Sequence, residues 1–557
     1  MLKYYIIITL VVFFVFLYSS YQAKKNQKAN LRRKIRENWD NEITREYDTD
    51  EIEKIASYFY HCANDGFYVD DITWNDLDLD SIFYKLNNTY SSSGEEYLYK
   101  LLRMPEFDLK ILKDRDKLIT FFENNKDMAF EIQEVFSKLG RTKKISLTDF
   151  LNRFTELGKR SSISHIIQAI LMLASILLLF VYPIPGMILL FTMLVINIGT
   201  YYKEKAKIES YFLCLRYLID MINCGNLLVK KYKDNKENEL SGYIDDIETS
   251  LKNTKKMCSG MFLISINGTG GSLGEIIMEY IRMIFHVDII KFNSVLELVK
   301  THTADIDKLF CTFGNIESCM AIASFRAKTK LKCKPVFCGA NDLLAEEVYH
   351  PLINEPVTNT IETKSSVLIT GSNASGKSTF LKTMAINILF AQTIYTCTAK
   401  SFKTNFYHLY SSMSLRDNLK NNESYYMVEI KSIKRIVDAV KRGENVFSFV
   451  DEVLRGTNTI ERIAASSEIL KEIDTENSIC FAATHDIELT HILDNIYVNY
   501  HFREEVACDD ILFNYKLLNG RSDSRNAIKL LKIIGFEDKI VKNAENFALE
   551  LIKNGQP

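Results

Sequence analysis

The chain has 557 residues, of which 25% are charged, and its formal net charge is −2. That length accommodates several domains, and the near balance of charge excludes a globally basic nucleic-acid binder or an acidic tail, so any nucleic-acid contact has to be local. The eleven cysteines are scattered, and Cys333/Cys338 and Cys311/Cys319 lack the spacing and histidine partners of a zinc site, which points to reduced thiols and a cytosolic compartment.

Tyr4 to Ala23 carries no charged residue and is rich in Ile, Val, Phe and Leu. At about 1.5 Å per residue it is long enough to cross about 30 Å of hydrocarbon. Only Lys3 precedes it and no small-x-small cleavage site precedes Lys24, so residues 1–23 are predicted to be an anchor, not a cleaved signal. Lys24, Lys25, Lys28, Arg32, Arg33, Lys34 and Arg36 follow before the first acid, Glu37. The positive-inside bias keeps that flank cytoplasmic. From about Asp40 to Lys159 apolar positions recur at helical spacing, so residues 24–160 are expected to be a basic linker and a helical core.

A second stretch without Asp, Glu, Lys or Arg runs from Ser161 to Tyr202, broken at Tyr182-Pro183-Ile184-Pro185-Gly186. Two prolines and a glycine favour a turn there. Lys159 and Arg160 stand before the stretch and Lys203, Lys205 and Lys207 after it. A hairpin that enters the membrane from the cytoplasm and returns accounts for both flanks. Helical patterning resumes over 203–340, interrupted at Gly268-Thr269-Gly270-Gly271-Ser272, a predicted loop after a possible short strand at Met261 to Ile266.

The C-terminal part, 341–557, carries the chemistry. Val367 to Thr370 is a β-branched apolar run, Gly371 to Ser378 fits G-x-x-x-x-G-K-[ST], and a helical pattern stays apolar from Phe380 through Ala391. Strand, loop and helix in that order make a phosphate-binding loop: Gly371, Ser372, Asn373, Ala374, Ser375, Gly376, Lys377, Ser378 and Thr379 would cradle a triphosphate with backbone N–H groups. Lys377 would reach the β- and γ-phosphates of ATP, and the Ser378 hydroxyl would bind Mg²⁺. Val446 to Val450 is a second buried strand, ending in Asp451-Glu452, where Asp451 would hold Mg²⁺ and Glu452 would act as general base on water. The strand Ile479 to Ala483 ends in Thr484-His485-Asp486, which puts His485 where it can contact a γ-phosphate.

These residues resemble the MutS family of mismatch-repair ATPases, of the ABC type. The resemblance is carried by TGSNASGKSTFLKT from Thr370, DNLKNNESYYMVEI from Asp417 to Ile430, FVDEVLRGTNT from Phe449 and AATHDIELT from Ala482. His350-Pro351 and Pro356 to Asn359 look like the family's adenine-side segment, and Ser524 to Phe547 like its dimerising tail. SSSGEEYLYKLLRMP from Ser91 and GNIESCMAIASFR from Gly314 look like its core and lever helices. The resemblance implies a P-loop α/β ATPase domain behind a mostly α-helical core and lever, ATP hydrolysis with Mg²⁺, and a homodimer in which Ser424 acts on the partner's nucleotide. His350 and Asn359 would flank the nucleotide. Lys420-Asn421-Asn422-Glu423 departs from the small and basic residues usual before Ser424.

No mismatch-reading domain fits between the first apolar stretch and the helical core. Phe121-Phe122-Glu123 and Phe502-Arg503-Glu504 match the reader's F-x-E, which at two fixed positions is assigned to chance, the second lying beyond the ATPase strands. The expectation is therefore a multi-pass protein of the cell membrane with three transmembrane helices and its ATPase domain in the cytoplasm, turning ATP-driven dimer motion into work at the membrane. The alternative is a DNA-binding protein for mismatched or branched DNA held at the membrane.

Overall fold

The structure, a computed structural model, describes residues 2–42, 45–63, 66–142, 146–156, 158, 160–234, 238–258, 273–339, 341–372, 375–413, 425–454, 457–507, 510–522 and 535–553. The possible strand at Met261 to Ile266, the Gly268 to Ser272 loop, Ser424 and the segment before it, and most of the tail's first half lie outside these residues.

Helices come first along the chain: α1 (Leu2–Asp40), α2 (Thr49–Cys62), α3 (Asp71–Asp76), α4 (Leu79–Leu86), α5 (Ser92–Arg103), α6 (Leu109–Asn124), α7 (Lys126–Leu139) and α8 (Leu147–Glu156). They continue with α9 (Ile163–Val181), α10 (Pro183–Tyr232), α11 (Ser241–Cys258), α12 (Leu273–Phe285), α13 (Val287–Thr301) and α14 (Thr303–Lys328). Strands then enter: β1 (Val336–Phe337), β2 (Leu343–Val348), β3 (Asn359–Thr363), β4 (Val367–Thr370), α15 (Lys377–Thr393), β5 (Ser401–Thr404), β6 (His408–Ser412) and α16 (Tyr425–Lys441). The last elements are β7 (Val446–Asp451), α17 (Thr459–Ile473), β8 (Ser478–Thr484), α18 (Ile487–Ile492), β9 (Val498–Ala507), β10 (Asp510–Asn519) and α19 (Asp538–Lys553). The chain divides into two compact units, residues 1–64, 86–100 and 117–328 in one and 65–85, 101–116 and 329–557 in the other.

The first unit is helical. Its basic segment after Ala23 is the continuation of α1, which docks through Trp39, fully buried and edge-on to Phe130 at 5.4 Å. The two motifs at Ser91 and Gly314 meet one another. A Cβ on Gly314 would lie 2.4 Å from that of Tyr97, and one on Gly94 2.2 Å from a Glu317 carboxylate oxygen, so both positions admit only glycine without displacement. Glu317 has no exposed surface and accepts from the Ser91 amide at 3.1 Å, the Ser91 hydroxyl and the Tyr90 amide. Burial pushes its carboxyl up to about 7 against those donors. Beside it the buried Glu95 carboxylate meets three cations, Lys54 at 3.0 Å, Arg45 at 3.1 Å and Arg141 at 2.8 Å.

The apolar stretch forms a helical hairpin, and its corner falls at the expected residues. α9 ends at Val181, and Pro183 takes the first position of α10, where its missing N–H leaves no bond unmade. Gly186 lets the second helix approach the first: a Cβ there would lie 2.5 Å from Leu179 Cα. Residues 163–181 and 183–209 are long and apolar enough to cross a membrane, and most of their surface is exposed, including Leu177, Phe180, Ile184 and Phe191. α10 does not stop where the apolar composition stops at Tyr202. It runs unbroken for 50 residues and buries Ile208, Leu215, Leu218, Met221, Ile222 and Leu228 in its second half.

The second unit holds two sheets. One has the order β1-β5-β2-β3; the other, β10-β9-β4-β8-β7-β6, is parallel from β9 to β6 and antiparallel only at β10. β4, β7 and β8 are buried along nearly their whole length, as their unbroken apolar runs require of strands covered on both faces. α15, buried at almost every position, packs against β7 and β8.

Candidate nucleotide site

β4, β7 and β8 are neighbours in register, Ile369 opposite Ala483 and Asp451 opposite the same residue, so their carboxyl ends open on one edge of the sheet. In an open α/β sheet that edge is where ligands bind. The loop after β4 turns into α15 through Gly371 (φ 146°) and Gly376 (φ 107°), backbone conformations that a side chain would strain. Asn373 and Ala374, between them, lie outside the described residues.

The described loop residues converge on one another. The Lys377 ammonium donates to the carbonyls of Gly371 at 2.8 Å and Ser372 at 2.9 Å, which holds it over the loop. The Ser378 hydroxyl donates to Asp451 Oδ2. Glu452 follows in a left-handed backbone conformation (φ 55°), its amide donating to the Ala483 carbonyl at 2.9 Å. A non-glycine residue held there costs on the order of 1 kcal/mol, and here it points the carboxylate at His485, whose Nε2 lies 2.8 Å from Glu452 Oε1. His485 Nε2 is also 3.3 Å from the Lys377 ammonium. We assign its proton to Nε2, donating to Glu452, so that nitrogen accepts no bond from the lysine. Arg462 on α17 grips Asp486 with two bonds, 2.9 and 2.6 Å, and so fixes the backbone beside His485.

Beside the loop is a cavity of about 370 Å³, lined by Val348, His350, Thr379, Phe380, Phe502 and Tyr515 among others. That volume suits a ligand of nucleoside size. His350 accepts from the Leu352 amide at Nδ1 (3.3 Å), which leaves its proton on Nε2. Burial, with Lys382 and Lys85 adding positive charge against Asp78, lowers its pKa to about 4, so the ring is neutral at neutral pH. Asn359 lines the same cavity but its amide is committed to β10, donating to the Tyr515 carbonyl at 3.0 Å and accepting from the Leu517 amide at 2.8 Å. Ser424 lies outside the described residues.

Sequence reading missed β9. Phe502 and Glu504 do not lie beyond the ATPase strands; β9 pairs with β4 in the same sheet, Tyr500 opposite Ile369. The Phe502 ring stands 5.9 Å from that of Phe380, and a Cβ on Gly371 would lie 2.9 Å from the Phe502 carbonyl. Glu504, nearly buried, accepts from the Ser372 hydroxyl at 2.7 Å. The alternation Tyr500, Phe502, Glu504 signals a strand, but which strand it joins is a long-range fact.

The arrangement fits a nucleoside triphosphate with Mg²⁺. The Ser375 hydroxyl is buried without a hydrogen-bond partner among the described residues, a donor oriented within the loop. One hydroxyl and one carboxylate, Ser378 and Asp451, are the sparse protein ligation that Mg²⁺ accepts when phosphate oxygens and water complete its shell.

Residues 367–552 match the family described as MutS domain V. The DNA mismatch repair protein MutS of Rickettsia bellii (strain RML369-C) is 25% identical over 532 residues, 85% of this chain and 59% of that protein. Those of Thermotoga sp. (strain RQ2) and Lactobacillus delbrueckii subsp. bulgaricus (strain ATCC BAA-365 / Lb-18) are 28% and 27% identical over 48% and 47% of this chain, and 35% and 32% of their own lengths. The chain thus spans about three-fifths or less of the relatives it matches.

Proposed function

Since this chain belongs to the MutS family, with its domain V at residues 367–552, we infer that it binds ATP with Mg²⁺, hydrolyses it to ADP and phosphate, and works as a homodimer held at a membrane. The observation that carries the chemical part is the convergence of Lys377, Ser378–Asp451 and Glu452–His485 at one sheet edge beside the cavity. Mg²⁺, when bound, would supply positive charge against the charge that builds up on the phosphates. Lys377 turns from its loop carbonyls to the phosphates, Ser378 and Asp451 hold the cation, and Glu452 orients the attacking water and takes its proton. His485 keeps the Glu452 carboxylate in place and senses the γ-phosphate. The cavity takes the nucleoside, with neutral His350 presenting an N–H donor.

The membrane part rests on the charge-free hairpin of α9 and α10, its exposed apolar surface and the basic residues on its open end. With the apolar start of α1 as a third span, the nucleotide domain lies in the cytoplasm and its cycle moves the helices continuous with the hairpin. A second reading, DNA as ligand, is favoured by the names of the relatives, DNA mismatch repair proteins. Its affinity would come from phosphate contacts and fall steeply with salt.

The test is ATP binding and hydrolysis by the full chain in phospholipid vesicles, with and without duplex, mismatched and branched DNA. Glu452→Gln should keep ATP and lose about two to four orders of magnitude in turnover, and Lys377→Ala should lose affinity. Equal hydrolysis by wild type and Glu452→Gln overturns the assignment, and a mismatch preference of about tenfold or more makes DNA the ligand.

A further inference from the structure

Deepening the membrane reading, we infer that α12 is a further membrane element beside the three spans, lying in the headgroup layer of a phospholipid bilayer at the cytoplasmic end of the hairpin. Nothing in its composition marks it as a span: it has 13 residues and carries Glu275, Glu279 and Arg282. Three of its large side chains are nevertheless open, Ile277 at 58%, Tyr280 at 57% and Ile281 at 40% exposure. At 100° per residue these fall on one stripe, with Glu279 and Arg282 on the opposite side. An apolar stripe on a short helix with its charges turned away is the pattern of an in-plane interfacial helix.

Its depth is fixed by the hairpin. α12 packs against both α9 and α10. The Asn197 amide donates to the Ile284 carbonyl at 2.8 Å, and His286 Nε2 bonds the Asn197 carbonyl at 2.9 Å. His286 Nδ1 lies 2.9 Å from Nδ1 of His165, in the first turn of α9, and the Tyr201 hydroxyl donates to Asp288 at 2.8 Å. Ile284 in α12, and His286 and Asp288 just past its end, are thus tied to the first turn of α9 or to residues 197–201 of α10, the level at which the apolar stretch gives way to Lys203, Lys205 and Lys207. The Lys205 ammonium stands 5.1 Å over the Tyr201 ring. Tyrosine beside lysine at the end of an apolar helix marks the boundary between hydrocarbon and headgroups. At that boundary α9 leaves Ile163 and Ile166 exposed and α10 leaves Tyr202 exposed, so lipid is the occupant we assign to the open stripe of α12.

Depth-dependent quenching tests this in the full chain. Tryptophan is placed at Ile277 (Ile277→Trp), at Tyr280 (Tyr280→Trp) and, as a reference in mid-hairpin, at Leu173 (Leu173→Trp). The natural tryptophans, Trp39 and Trp74, are 0 and 2% exposed and give the baseline. Vesicles of phosphatidylcholine and phosphatidylglycerol carry bromine either near the headgroup or near the chain terminus. Ile277→Trp and Tyr280→Trp should be quenched at least twofold more by the shallow label than by the deep one, and Leu173→Trp the reverse. Quenching of Leu173→Trp alone overturns the inference and leaves the hairpin in the membrane. Quenching of none of them overturns the membrane reading as well.

Discussion

His350 shows how one residue ties the site to solution conditions. Its folded pKa of about 4 lies below the ordinary histidine value of about 6.5, so between those values the unfolded chain binds the proton and the folded chain does not. The stability it supports is present above pH of about 6.5 and is lost as pH falls toward 4. Relative to His350→Gln, which cannot titrate, the wild type should lose about 2 kcal/mol over that window, read as the difference between their denaturant midpoints at each pH. Equal pH dependence of the two proteins would mean that the ring is open to water. Much of this site was legible residue by residue: Lys377, Ser378, Asp451 and Glu452 stand together because strand, loop and helix are local and the strand ends carry the chemistry. Glu504 was not legible, because its contact with Ser372 crosses 132 positions of sequence and depends on which strand lies beside β4.

At the scale of elements, close backbone contacts decide what can be changed. Gly186 sits where a Cβ would lie 2.5 Å from Leu179 Cα, whereas a Cβ on Gly199, in the same helix, meets nothing within 4 Å. Gly186→Ala should therefore lower stability by about 1–3 kcal/mol, while Gly199→Ala should be neutral or stabilise by up to about 1 kcal/mol, as helix propensity dictates. Thermal midpoints of the two variants in one detergent compare them directly. Glu317 is the corresponding point between α14 and the turn before α5. Glu317→Leu removes the acceptor of the buried Ser91 amide and hydroxyl and of the partly buried Tyr90 amide, and should cost about 3 kcal/mol or more, with Glu317→Gln losing less because it keeps one acceptor oxygen. Hydrogen exchange at the Ser91 amide is the local readout, and protection unchanged in Glu317→Leu would refute the role. The hairpin corner was legible from two prolines and a glycine. The end of α10 was not, since composition changes abruptly after Tyr202 while the backbone, lacking Gly or Pro from there through Ile222, continues as helix.

For the whole molecule the consequence of α10 is one of angular phase. A helix of 50 residues, about 75 Å long, that passes from apolar to charged sequence without a break has no joint at which twist can be lost. Whatever rotates its charged half rotates its apolar half by the same angle, like a key turned from its bow. The two halves are therefore locked in azimuth, and insertions between Lys205 and Lys207 should act by angle more than by length. One added alanine turns the faces by about 100° and pulls the buried row of Ile208, Leu215 and Ile222 away from its partners while the hairpin stays put. Seven added alanines turn them by only about 20° short of two full turns, although they push the halves about 10 Å further apart. If the nucleotide cycle and the hairpin communicate through this rod, the lipid response of ATP turnover should vanish with one residue and return in part with seven, a periodicity that a flexible connection could not produce.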